Sequence, residues 1–382
     1  MEAQDNFQSG NNAAGNNGVA TASAGDKAGE RLFSVVVPVY NRPDEVDELL
    51  DSLTRQTLKD FEVIIVEDGS QTPCKSVCDK YKQSLDIQYF VKSNSGPGQS
   101  RNYGVERAVG KYVLILDSDV VVPEGYLYAI DKELKREPCE AFGGPDRAAD
   151  SFTPTQKAIS YSMTSFFTTG GIRGGKKKLD KFYPRSFNMG VRRDVYNKLG
   201  GFSKMRFGED IDFSIRIFKA GCRCRLFPDA WVYHKRRTDF RKFWRQVFNS
   251  GIARINLYKK YPESLKLVHL LPTVFTVGVF FLLLTAIAGI VATIVLFEKG
   301  YGMEQALPMA VALAALSPIV LYAAIIFFDA NCKTGSMKIA ALSVRAAFTQ
   351  LMGYGCGFIK AWWQRCVCGK GEFEAYKKNF YK

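Results

Sequence analysis

Asp117 and Asp119 stand one residue apart at the mouth of the apolar run "YVLIL", Tyr112 to Leu116, and a second apolar triplet, "VVV", follows them. Two carboxylates so placed raise one another's pKa unless a cation lies between or beside them. Mg2+ or Mn2+ would supply that cation, and a divalent ion with only one or two protein carboxylates fills its shell with substrate phosphates. The same spacing also reads as a solvated pair that opens a loop. Other polar residues sit in matching positions: Tyr40 and Asn41 follow "FSVVVPV", and Glu67 and Asp68 end "FEVIIVED".

Each of these groups terminates a run that reads as a strand. "LFSVVVPVYNR" is β-branched, as a strand buried on both faces requires, and Pro38, Asn41 and Pro43 halt it. "PDEVDELLDSLTRQ" then places Val46, Leu49, Leu50 and Leu53 at helical spacing, with acids in the first turn. "DIQYFVK" is a third strand, "GPGQSRNYGVERAVG" a helix entered through a glycine-rich turn, and "KYVLILDSD" a fourth strand. Strands alternating with helices predict an α/β, mostly parallel, Rossmann-like sheet with right-handed crossovers. Ligands bind at the carboxyl ends of such strands, where the polar groups lie.

The chain has 382 residues, 47% of them hydrophobic, which is enough for one core and something more. The surplus is two uncharged runs, 270–297 and 306–328, each longer than the roughly 20 residues that cross a bilayer as a helix. The first 31 residues are polar and rich in Gly, Asn and Ala, with the composition of a disordered tail. Residues 32–235 form the folded domain, and 236–269 read as basic interfacial helices. Much of the net charge of +14 gathers in "HKRRTDFRKFWRQ", which suits the anionic inner leaflet. That predicts a multi-pass protein of the inner (cytoplasmic) membrane with its folded domain in the cytosol, and no nucleic-acid partner. In 336–363, Lys338, Arg345, Thr349 and Lys360 share one helical face opposite an apolar one, favouring an interfacial helix over a third span and leaving the basic tail 364–382 in the cytosol. The nine cysteines lack zinc-site or disulfide-domain spacing and read as reduced thiols.

Taken in order, "VVVPVYNR", "IVEDGS", "NSGPGQSRNYG", "LILDSD", "FNMGVRRDVYNKLGGF" and "FGEDIDFSIRIFKAG" resemble the family 2 glycosyltransferases of the GT-A nucleotide-sugar fold. The resemblance runs from Leu32 to His234. It implies that Pro38, Tyr40 and Glu67 or Asp68 line the nucleotide-base pocket, and that Arg101 lies near the diphosphate and sugar. It makes Asp117 and Asp119 the metal-binding DxD motif, with His234 as a further metal or phosphate ligand. Glu209 and Asp210 become the acceptor-side acid pair, with Asp210 as base. The chemistry agrees: a metal stabilises charge on the departing phosphate, and a carboxylate takes the proton from the acceptor hydroxyl, with inversion at the anomeric carbon. The acids from Glu209 to Asp212 also read as the first turn of a helix, which is compatible with that role. "GGIRGGKKKLDKFYPRS" reads as a lid over an anionic substrate or as a plain solvated loop.

The processive members carry QxxRW, whereas Gln246 here precedes Val247, Phe248 and Asn249. The chain therefore resembles more closely the succinoglycan-type exopolysaccharide transferases that add one sugar to a lipid-linked saccharide. An alternative is a polyprenyl-phosphate sugar synthase of the dolichol-phosphate-mannose type, although Val121 stands in the place of its histidine. A non-catalytic membrane assembly protein with a transferase fold would have lost the acids that are intact here.

Overall fold

The computed structural model describes residues 31–149, 151–170, 182–205, 207–235, 237–300 and 306–372. The polar tail before Arg31, residues 171–181 of the proposed lid and most of the basic C-terminal tail lie outside the described residues.

The elements are β1 (Phe33–Val39), α1 (Pro43–Thr54), β2 (Phe61–Asp68), α2 (Lys75–Tyr81), β3 (Ile87–Lys92), α3 (Pro97–Val105), β4 (Tyr112–Leu116), β5 (Val120–Val121) and α4 (Tyr126–Arg136). There follow β6 (Ala141–Gly143), β7 (Asp146–Arg147), α5 (Pro154–Thr164), α6 (Phe166–Thr169), β8 (Asn188–Arg192), α7 (Arg193–Lys198), α8 (Glu209–Lys219), β9 (Cys224–Leu226) and β10 (Val232–His234). Four long helices close the chain: α9 (Phe240–Lys260), α10 (Leu271–Glu298), α11 (Ala306–Thr334) and α12 (Met337–Trp362).

Among the described residues, seven strands form a sheet in the order β3-β2-β1-β4-β8-β6-β9. The first four of that order are parallel, β8 runs antiparallel to both its neighbours, and β9 is parallel to β6. This is the mostly parallel α/β sheet expected. Side chains alternate across it: Val35, Val37 and Val39 pack with Leu49, Leu53 and Leu127 on one face, while Val36 packs with Val105, Phe213 and Ile217 on the other. Burial on both faces is why the strands read as unbroken apolar runs.

A second sheet, β5-β10-β7, is small but sets the geometry of the site. Its antiparallel register pairs His234 with Val120, so the last residue of β10 lands beside the second aspartate of the DxD motif. Close backbone approach permits this. A β-carbon on Gly144 would lie 1.6 Å from the Ala230 carbonyl oxygen, so only glycine fits where the chain enters β7 past the segment leading to β10.

The two expected apolar runs lie within α10 and α11, which are long and apolar enough to cross a membrane. Only 17% of the apolar window of each is buried, unlike the core helix of a soluble protein. α11 outlasts its apolar run: the helix continues through Asp329 and Lys333 and stops where Gly335 takes a left-handed φ of 64°, one residue before Ser336 caps α12. The residues between the second apolar run and α12 are thus mostly helix.

α12 packs against α5, α9, α10 and α11. Glycines make the contact close. A β-carbon on Gly355 would meet Thr276 Oγ1 at 2.1 Å, and one on Gly251 would meet the Tyr354 carbonyl oxygen at 2.1 Å. Lys338, Arg345 and Lys360 stay exposed on the other side of α12, as the amphipathic pattern anticipated. Two polar ties join the α/β half to α11: the Tyr161 hydroxyl on α5 donates to Asp329 at 2.5 Å, and the Tyr322 hydroxyl donates to the Phe167 carbonyl at 3.2 Å. None of the nine cysteines forms a disulfide.

Candidate active site

The carboxyl ends of β1, β2 and β4 form one rim. At the end of β1, Pro38 and Tyr40 are half-buried, and Asn41 adopts a left-handed φ of 53° that suits its short polar side chain. Its Oδ1 accepts from the backbone N–H groups of Gln71 and Thr72, at 2.7 and 3.1 Å. On β2, Glu67 accepts from the Ser70 hydroxyl, from the Cys74 N–H at 2.8 Å and from the Tyr89 hydroxyl at 3.1 Å. Asp68 accepts from Lys92 at 2.8 Å and from the N–H groups of Ser95 and Gly96, both at 2.9 Å. Both carboxylates are buried, and each holds one loop that walls the rim.

At the centre lies Arg101 on α3, itself buried. Its Nη2 donates to Asp117 at 2.8 Å and its Nη1 to Glu209 at 3.0 Å, while the guanidinium lies 5.2 Å from the centre of the Phe202 ring. Burial works to lower its pKa, and the two carboxylates outweigh burial and raise it above the ordinary arginine value. One side chain thus bridges the end of β4 and the start of α8.

Asp119 is buried. Arg42 Nη1 donates to its Oδ2 at 2.6 Å, and Arg237 stands 3.9 Å away. Burial would raise its pKa, but His234, Arg42 and Arg237 overcome this and hold the carboxyl well below the usual range. Its Oδ1 lies 3.2 Å from His234 Nε2, yet the angles make no hydrogen bond, and the buried Oδ1 has no partner among the described residues. The His234 ring is fixed by stacking on Phe187 at 4.8 Å. Ligand atoms of Asp117, Asp119 and His234 all fall within 4.8 Å of one another. An orphaned, ionised carboxylate oxygen facing an imidazole nitrogen is a donor set that fits a divalent cation; the carboxylates suit a hard ion such as Mg2+ or Mn2+, and the imidazole nitrogen is the better match to Mn2+ of the two.

Across the cleft, α8 starts at Glu209 because Gly208 takes a left-handed φ of 84°. Glu209 turns inward to Arg101. Asp210 meets Arg185 Nη1 at 3.3 Å and accepts from the Ile211 N–H at 2.8 Å. Asp212, the third acid of this turn, is wholly buried and ties α8 to α9 through Lys260 and Tyr261. It is structural.

The family profile described as Glycosyl transferase family 2 matches residues 34–200. The glycosyltransferase GlyG of Streptococcus pneumoniae is 30% identical over 269 residues, which cover 62% of this chain and 89% of GlyG. The chain belongs to glycosyl transferase family 2. An uncharacterized glycosyltransferase of Rickettsia felis is 43% identical over 86 residues, but the chain spans only 14% of that relative's length. The mannosyltransferase PcManGT from Pyrobaculum calidifontis, solved with GDP-Man and Mn2+, shares the fold with a TM-score of 0.53 over 88% of both chains, at 17% identity.

In this family 2 glycosyltransferase, sequence reasoning overlooked Arg42, Arg185 and Arg237. Arg42 belongs to the quoted "VVVPVYNR" and read as part of a turn; Arg237 belongs to the basic stretch assigned to the membrane, although it faces Asp119. The signal available was that a buried carboxylate needs a cation, and these were the nearest basic residues to a strand end.

Burial pushes the Glu209 carboxyl up to about 7; Arg101 opposes this and Asp210 adds to it. The folded state therefore keeps a proton that the unfolded chain releases near pH 4.3. Glu209 stabilises the fold fully below that value and loses its contribution as pH rises through about 7. Glu209→Gln is expected to flatten this decline. Urea midpoints between pH 5 and 8 measure it, and a decline as steep as in the wild type would refute the assignment.

Proposed function

We propose that the chain is a membrane-bound, metal-dependent, inverting glycosyltransferase. It moves a sugar from a nucleotide diphosphate sugar, UDP-linked by family preference, to a hydroxyl of a lipid-linked saccharide in cell-surface polysaccharide synthesis. The observation that carries this reading is Arg101, which joins the Asp117 side of the cleft to the Glu209 side and so fixes a donor site against an acceptor site. PcManGT, which shares the fold, was solved with a nucleotide sugar and Mn2+. In this reading α10 and α11 anchor the protein in the inner membrane with the cleft on the cytosolic side.

Pro38 and Tyr40 take the base, within walls held by Glu67 and Asp68. Asp117, Asp119 and His234 would hold a Mg2+ or Mn2+, which would supply positive charge to the departing diphosphate. Arg101 keeps Asp117 turned to the donor. Asp210 accepts the proton of the acceptor hydroxyl as that oxygen attacks from the opposite face of the sugar, and Arg185 orients its carboxylate.

The test offers detergent-solubilised protein a panel of nucleotide sugars and a membrane lipid extract, with Mn2+ or with EDTA. Asp210→Asn is expected to lower transfer by about 10²–10⁴-fold, as loss of a general base does. Full-rate formation of a lipid-phosphate sugar by Asp210→Asn would instead mean that the acceptor has no proton to give, as in a polyprenyl-phosphate sugar synthase.

A further inference from the structure

Where the catalytic half meets the first apolar helix, basic side chains converge from three separate segments. Arg185 comes from the loop before β8, Arg254 from α9, and Lys266 and His269 from the turn that leads into α10. The charges of all three basic side chains reach His269. Burial, and then the charges of Arg254, Lys266 and Arg185, hold its imidazole down at about 3, so the ring is neutral at physiological pH. Its Nδ1 accepts the Lys266 N–H at 3.1 Å, which leaves Nε2 to carry the proton and donate.

The group is incomplete as it stands. Arg254 Nε is buried with no hydrogen-bond partner among the described residues, and so is the Tyr354 hydroxyl of α12, which lies beside the Arg254 guanidinium. The backbone contact between Gly251 and Tyr354 brings α9 and α12 together one turn from Arg254. A buried guanidinium Nε and a buried hydroxyl without partners, set among like charges, are unfavourable unless an anion belongs there. Asp210 reaches the edge of the group, through Arg185, and no further.

We infer that Arg185, Arg254, His269 and Tyr354 bind the phosphate or diphosphate of the lipid acceptor, with its first sugar directed at Asp210. Guanidinium groups match phosphate oxygens in paired hydrogen bonds, and a hydroxyl and an imidazole N–H complete the set. The position identifies a lipid rather than a soluble phosphate. The turn that carries His269 also carries Leu267, 82% exposed, and runs into Leu271, 58% exposed, at the start of α10. A hydrocarbon chain leaving the phosphate would meet this apolar surface at once. The donor diphosphate is accounted for elsewhere, at Asp117 and Asp119.

This inference rests on the lipid-linked acceptor proposed above, and its test separates the two. Full-length protein in detergent and EDTA, which removes metal from the donor site, is titrated with farnesyl diphosphate, inorganic pyrophosphate or phosphatidylglycerol vesicles. Farnesyl diphosphate is expected to bind tightest, and Arg254→Gln to weaken it about tenfold or more, the size of a lost charged hydrogen bond. Tyr354→Phe, which removes a single oxygen, is expected to raise KM for the lipid acceptor several-fold at unchanged kcat and serves if Arg254→Gln fails to fold. Equal binding by inorganic pyrophosphate or by the vesicles would overturn the lipid assignment. Unchanged farnesyl diphosphate affinity in Arg254→Gln, or unchanged KM in Tyr354→Phe, would overturn the site while leaving the transferase reading intact. Farnesyl diphosphate binding that is lost in Arg254→Gln, in a wild type that transfers no sugar, would uphold the site and sink the transferase reading.

Discussion

Asp119→Asn is expected to lower sugar transfer by about 10³-fold, because the proposed metal at the departing phosphate would contribute several kcal/mol to the transition state. The asparagine keeps the shape of the side chain but removes the charge that His234, Arg42 and Arg237 surround. Two effects follow and can be told apart. Mn2+ affinity, read by electron paramagnetic resonance, falls with the loss of the orphaned Oδ1 as an anionic ligand. Stability falls too, since Arg42, bonded at 2.6 Å, loses its counterion. A folded Asp119→Asn protein that binds Mn2+ as the wild type does and transfers sugar at its rate would remove the metal reading altogether.

The largest structural effect is expected from Arg101→Ala. Removing one partner of a buried ion pair leaves the other charge uncompensated, at about 3–5 kcal/mol. The two carboxylates should respond differently. Asp117 is partly exposed, and water takes over its solvation; Glu209 has no such access and must take up a proton. The destabilisation is therefore expected to be greater at pH 8.5 than at pH 6, because above about 7 protonating Glu209 becomes the harder route. Thermal melts at the two pH values measure it. An Arg101→Ala protein that melts with the wild type at both would show that the bridge across the cleft holds nothing together.

The parallel half of the sheet was legible because its strands are long, β-branched and buried on both faces, so β1, β2 and β4 each announce themselves within a few residues. β5 and β7 did not, for they are two residues long and exist only through their pairing with β10. His234 could be suspected from resemblance, but its place beside Asp119 depends on that register and leaves no local mark. Glu67 and Asp68 were correctly seen at a strand end, yet nothing in "VEDGS" tells that each gathers hydrogen bonds from a separate loop. The cationic group around His269 was hidden for a different reason. Its basic members were read apart, Arg185 within the proposed lid and Arg254 and Lys266 within the basic interfacial helices. α11 ran past its apolar stretch because helices end at a breaker, here Gly335, and not where polarity begins.

The bonds from Tyr161 to Asp329 and from Tyr322 to the Phe167 carbonyl, together with the glycine-lined seams of α12, tie the catalytic half to the long C-terminal helices at several points. A chain cut back before α10 would bare Ile159, Met163, Phe243 and Val247, which α12 covers, so the helices that look like an anchor are also part of what keeps the rest of the fold in solution.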